Sequence, residues 1–121
     1  MVMENISVRV NNHPQNKEIT LLFVKGQIDT LTAPEFEKNL LATLAAKKFK
    51  LIIDLNEVDY ISSAGWGIFI SQIKHIRGQK GDLVLAGMKN EVSEVFQLLE
   101  FDSIIKAFPS VESAVKQCFK N

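Results

Sequence analysis

Apolar and polar residues alternate from Glu4 to Asn11, with Ile6, Val8 and Val10 on one side and Asn5, Ser7 and Arg9 on the other. A period of two is that of a half-buried strand. The turn formers NNHPQN follow, and then KEITLLFVKG, a longer apolar run closed by Gly26. Two such runs across a short polar turn predict an antiparallel hairpin. The second strand, apolar on both faces, predicts a place inside the sheet rather than at its edge.

From Thr32 the period lengthens. Phe36, Leu40 and Leu44 recur at helical spacing to about Lys48, with Pro34 tolerated in the first turn and Thr32 with Glu35 reading as a T-x-x-E capping box. The β-branched run FKLIIDL predicts a third strand. It feeds a second helix in which Trp66, Phe69, Ile70, Ile73 and Ile76 form one stripe. Gly78 and Gly81 bracket a turn into a fourth strand, DLVLAG, and a third helix begins at Asn90 with Val92, Val95, Phe96 and Leu99 on one face. SIIKAF is a last short strand, and Ser110 caps a fourth helix with Val111, Ala114, Val115 and Cys118 inward. A hairpin followed by alternating helices and strands predicts an α/β fold, a mixed, mostly parallel sheet with about four helices packed against it. At 121 residues without an internal repeat, residues 1–121 are expected to form one domain.

A hydrophobic fraction of 46% and a charged fraction of 23% place the chain among those that bury a core. Fourteen Lys and Arg balance fourteen Asp and Glu, which leaves no net field to hold nucleic acid or an anionic membrane. No apolar run approaches the roughly 20 residues of a bilayer span, and MVMENISVRVNN lacks the basic start of a signal peptide. A single cysteine, Cys118, is read as a small buried apolar residue in a reducing compartment, so a cytoplasmic protein is expected.

Catalytic constellations fail one by one. His13 in a loop, His75 on a helix and the distant Cys118 make no metal site, and no cofactor is expected. Gly65, Trp66 and Gly67 satisfy neither the Walker pattern nor G-x-G-x-x-G. A G-x-S-x-G elbow is missing, since Ile61 stands two residues before Ser63, and His75 would lie about 18 Å along the same helix. Asp54 at the end of the third strand lacks the acidic partners that a receiver-type Mg²⁺ site needs after the first strand, where the chain has NNHPQN. What remains is DYISSAGWG, residues 59–67, with two serines at the entry to the second helix. Serine is a favoured N-cap, worth about 1 kcal/mol. The same place suits a phosphate, which exposed amides and the helix dipole stabilise, and whose charge of about −1.5 to −2 would repel a partner without unfolding the helix.

The segment DYISSAGWG resembles the signature of the STAS domain of bacterial anti-sigma factor antagonists, D-S-[ST]-G-L-G or S-S-A-G-L. Aligning Gly65-Trp66-Gly67 with G-L-G places the family's phosphorylated serine at Ser63, and Ser62, where an acidic residue is usual, is the second candidate. GQIDTLTAPEF, residues 26–36, resembles the family's G-x-[IL]-D segment, and the strand order and the tail GMKNEVSEVFQLLEFDSIIKAFPSVESAV fit as well.

The resemblance implies a binding module rather than an enzyme. In the family the unphosphorylated antagonist binds an anti-sigma factor that is also a serine protein kinase, which frees the sigma factor. The kinase then spends ATP to phosphorylate the serine and end the contact, and a serine phosphatase restores it. Carried over, Ser63 is the phospho-acceptor, and Asp29, Ser62, Ser63, Gly65, Ile68 and Gln72 form the partner surface. Trp66 is read as core, and Ile68 as an apolar contact on a wet face with Gly65, Gln72 and His75, opposite the Trp66 stripe. Asp29 also reads as a plain turn residue before the capped helix. The alternative is a STAS scaffold or transport-complex subunit, for instance beside a lipid-export ATPase, in which Ser63 is only a cap. Neither reading calls for direct nucleic-acid binding or membrane insertion.

Overall fold

The computed structural model describes residues 6–119. Its elements are β1 (Ser7–Asn12), β2 (Thr20–Ile28), α1 (Ala33–Ala45), β3 (Lys50–Ile61), α2 (Ser63–Gly78), β4 (Asp82–Ala86), α3 (Asn90–Leu98), a 3-10 turn (Phe101–Ser103), β5 (Ala107–Phe108) and α4 (Val111–Cys118). The five strands run β1-β2-β3-β4-β5 across one sheet. β1 pairs antiparallel with β2, and every other pairing is parallel. The predicted α/β architecture is therefore the observed one, with β2 paired on both sides. Glu4 and Asn5, assigned above to the first strand, lie outside the described residues.

Strand alternation sorts the core into two layers. Leu22, Val24, Leu51, Ile53, Leu55, Leu83 and Leu85 point to the face covered by α1, α2 and α3, where they join Phe36, Leu40, Trp66, Phe69, Ile73, Val92 and Phe96. Ile52, Val84 and Ala86, the alternate positions, face α4 together with Ile19, Ala114 and Phe119. Both faces of β3 and β4 are thus covered, which explains their continuous apolar runs. An aromatic cluster fills the first layer: Trp66 packs edge-on to Phe69 at 5.8 Å and lies 5.2 Å from Phe101.

Several elements differ from the sequence reading, each for a local reason. β3 continues six residues past Leu55, because residues 57–61 pair with Lys25–Ile28 of β2 across two register shifts. α1 stops at Ala45 rather than near Lys48, since Lys47 turns left-handed at φ +65° and closes the helix. SIIKAF supplies only a two-residue strand, its start being taken up by the 3-10 turn. On α3, Val92 and Phe96 are buried, but Val95 and Leu99 are exposed. Val10 is likewise exposed on the edge strand, and Ile70 is half-buried. Ser110 caps α4 as predicted, accepting the Ser113 amide at 3.1 Å in a reciprocal capping box. Cys118 is half-buried, and burial pushes its thiol above the ordinary range, which suits a packing residue better than a reactive one.

Candidate functional site

The carboxyl ends of the two parallel strands β2 and β3 carry the site. β3 ends at Ile61, and the Ser62 amide donates to the Ile28 carbonyl at 2.8 Å, which ties the entry of α2 to the end of β2. Ser62 is extended (φ −80°, ψ 173°), and its hydroxyl accepts the Gly65 amide at 3.4 Å, so it is the N-cap. The cap is therefore Ser62, which is buried, and not Ser63. Ser63 is the first residue of the helix and is exposed, and among the described residues no protein group hydrogen-bonds its hydroxyl.

The first amides of a helix have no intrahelical acceptor. Ser62 takes that of Gly65 through its side chain and that of Trp66 through its carbonyl at 3.0 Å, which leaves those of the exposed residues Ser63 and Ala64 without a protein acceptor among the described residues. The first turn of α2 holds no acidic residue to offset the positive dipole end. An anionic group on Ser63 would meet free N–H donors there.

Gly65 is what allows α2 to start so close to the sheet. A Cβ at this position would lie 2.7 Å from Ile28 Cγ2, 2.8 Å from Ile61 Cγ2 and 3.2 Å from the Ile28 carbonyl oxygen. Gly67 on the outer side would meet nothing within 4 Å. The two glycines of G-W-G thus have different roles, the first one steric.

Asp29 stands beside this helix start, in the loop that follows Ile28. Its Oδ1 accepts the amides of Leu31 at 2.9 Å and Thr32 at 3.0 Å. The Thr32 hydroxyl donates to the Gln27 carbonyl at 2.6 Å and accepts the Asp29 amide at 2.9 Å. The expected capping box of Thr32 and Glu35 does not form, because the Thr32 side chain is already engaged with this loop. Asp29 therefore acts as a turn residue that fixes the loop next to Ser63.

The structure gathers Asp29, Ser62, Ser63 and Gly65, and separates them from the other two expected contacts. Ile68 is 8% exposed and belongs to the core, which corrects its placement on a wet face. At about 100° of rotation per residue, Gly65 and Ile68 border the Phe69 and Ile76 stripe rather than oppose it. α2 meets β3, β4 and α1 together, so its buried arc is wider than one stripe. Gln72 is half-buried and lies nine residues below Ser63, about 14 Å along the axis. Trp66, at 2% exposed, is core as read.

Three apolar side chains near the helix start were not picked out by the sequence as surface. Leu31 in the Asp29 loop is 79% exposed, and Tyr60 at the end of β3 and Val95 on α3 are exposed as well. Tyr60 and Val95 line a hollow of about 140 Å³ with Asp59, Glu91 and the edge of Trp66. The outward phase of Tyr60 was the available signal, since Ile61 beside it points in. Asp59 bridges to Lys89, and that hydrogen bond holds the Lys89 ammonium above the usual lysine range. Among the described residues no group of His, Cys, Asp and Glu is arranged to hold a metal ion.

A five-stranded mixed sheet with helices on both faces and an exposed serine in the first turn of its second helix makes this a small single-sheet α/β module. Residues 11–114 match the STAS domain family, and the chain belongs to that family. It is 31% identical to the anti-sigma-B factor antagonist of Listeria monocytogenes over 102 residues, 84% of this chain and 88% of that one. With the anti-sigma-B factor antagonist of Bacillus subtilis it shares 30% identity over 112 residues, 93% of this chain and 99% of that one. The fold is similar to that of an anti-sigma factor antagonist from Mycobacterium paratuberculosis, with a TM-score of 0.83 at 23% identity, covering 93% of this chain and 92% of that one. It is also similar to SpoIIAA of Bacillus, whose structure is known both unphosphorylated, with a TM-score of 0.73 at 13% identity over 92% of this chain and 95% of that one, and phosphorylated. Among the described residues no helix is long and apolar enough to cross a membrane.

Proposed function

We propose that this chain is an anti-sigma factor antagonist switched by phosphorylation of Ser63. In its unphosphorylated form it binds an anti-sigma factor with serine kinase activity and releases the sigma factor. Phosphate transfer from ATP to the Ser63 hydroxyl ends the contact, and a serine phosphatase resets it. The observation that carries this reading is the division of labour between the two serines. Ser62 is buried and committed to the cap, whereas Ser63 presents an exposed hydroxyl that no protein group among the described residues engages. The contact surface in this reading combines the Asp29 loop with Leu31, the first turn of α2, Tyr60 and Val95, an apolar rim around a polar centre. The named antagonists among the relatives support the same role.

The switch needs no refolding. A phosphate on Ser63 would gain the free amides of Ser63 and Ala64, while its charge would have to be desolvated against the partner. Addition of Mg·ATP to the complex with the anti-sigma factor is expected to release the wild-type chain and to leave Ser63→Ala bound, followed by size-exclusion chromatography. Release of Ser63→Ala at the wild-type rate would overturn the assignment.

A further inference from the structure

The zero net charge of the chain conceals a segregation of its charges. Lys17, Lys47, Lys48, Lys50 and Lys80 line a hollow of about 390 Å³ at the amino-terminal ends of the parallel strands. A second hollow of about 290 Å³ adjoins it, shares Lys50, Lys80 and Gly81, and adds Lys106. Among the described residues two carboxylates line these hollows with the six ammonium groups. Glu18 bridges to Lys50 at 2.9 Å, and Asp82 is held by Arg77 at 3.0 Å and Lys106 at 3.4 Å. Asp29, Glu57, Asp59 and Glu91 stand at the other end of the sheet, where Lys89 bridges to Asp59 and Lys25 pairs in register with Glu57.

We propose that this lysine-lined hollow binds a compact polyphosphate anion. Concavity and charge are both on hand: the lysines come from the β1–β2 turn, the ends of α1 and α2, the start of β3 and the residue before β5, and they line two adjoining depressions that share Lys50 and Lys80. A flat anionic bilayer is met by a planar or convex basic face, whereas these ammonium groups line concavities, and the exposed apolar residues Leu31, Tyr60, Leu98 and Leu99 that would add insertion lie outside both hollows.

Two of the lysines also make a clean test available. α1 and α2 both end in the same closed turn, in which the amides of Lys48 and Gly81 return to the carbonyls of Thr43 and Ile76 at 3.3 and 3.1 Å. The left-handed residue of each turn is Lys47 or Lys80, both at φ +65°, where glycine is the unstrained choice. Glu100 occupies the equivalent position after α3, so the backbone alone does not select lysine. Lysine at a helix end also offsets the dipole, and that role predicts a loss of stability on replacement.

Titration calorimetry with inorganic tripolyphosphate is expected to show binding to the wild-type chain that weakens as salt is raised. Lys47→Gly with Lys80→Gly is expected to lose affinity at least about tenfold with a melting temperature equal to or above that of the wild type. If that variant fails to fold, Lys17→Gln with Lys48→Gln, both on ordinary backbone, is expected to give the same loss. Competition by ATP would identify nucleotides as the source of the phosphates, and its absence would point to free polyphosphate. Absence of tripolyphosphate binding, wild-type affinity in both variants, or binding only to phosphatidylglycerol vesicles would overturn the proposal.

Discussion

Ser63→Asp is expected to lower affinity for the anti-sigma factor by about 100-fold or more, the scale of an unpaired or like-charge contact at an interface. The melting temperature is expected to stay within about 2 °C of the wild type, because the side chain makes no packing contact to lose and a carboxylate in the first helical turn is mildly stabilising. Titration calorimetry and a thermal melt on the same sample check both halves. The pairing of the two results is what matters: lost binding with lost folding would describe a damaged helix start, not a switch. Ser62→Asp is the informative contrast. It places a charge at a buried position that abuts the Ile28 carbonyl and the Gly65 amide.

Gly65→Val is expected to be the most destabilising single change at the site, by about 2–3 kcal/mol, with the melting temperature falling by about 10 °C. The added Cβ would press on the Cγ2 methyls of Ile28 and Ile61, which are 0% and 5% exposed and, being β-branched, stiff at χ1. The carbonyl of Ile28 closes the third side, so the helix itself must move outward. Partner binding should fall as well, since Ser63 and the Asp29 loop share the Ile28 anchor. Gly67→Ala is the control. It points into open space within the same helix and is expected to be neutral or stabilising by up to about 1 kcal/mol. Differential scanning calorimetry of the two variants separates the steric role of the first glycine from any general intolerance of the motif.

The fold was legible wherever one periodicity persisted. The alternation through β2 and the spacing of Phe36, Leu40 and Leu44 name the buried faces of a strand and a helix that the structure retains. The second half of β3 was not, because Asn56, Glu57, Asp59 and Tyr60 point outward and two register shifts break the alternation. α3 looked amphipathic over four apolar positions, yet only Val92 and Phe96 reach the sheet, so Val95 and Leu99 are left at the surface. Ile68 was misplaced for the opposite reason: a helix that meets both a sheet and a neighbouring helix buries more than one stripe.

Within the site, the short motif located the helix start, and the resemblance pointed to Ser63. The separation of cap from exposed hydroxyl required backbone geometry, since Ser62 and Ser63 are chemically identical in sequence. The role of Asp29 as a loop anchor was open between turn and contact, and its two accepted amide bonds settle the first of these. Charge told least. Totals of fourteen and fourteen exclude a net field but say nothing of arrangement, and it is the parallel sheet that sends Lys47, Lys50 and Lys80 to one end and Asp29 and Asp59 to the other.

In the proposed switch Ser63, and not its neighbour, receives the phosphate. Mass-spectrometric site mapping of the wild-type chain after incubation with its anti-sigma factor and Mg·ATP tests it most directly. The expected result is a single phosphate on Ser63 with Ser62 unmodified. Phosphate on Ser62, or none on either serine while the kinase is active, would contradict it.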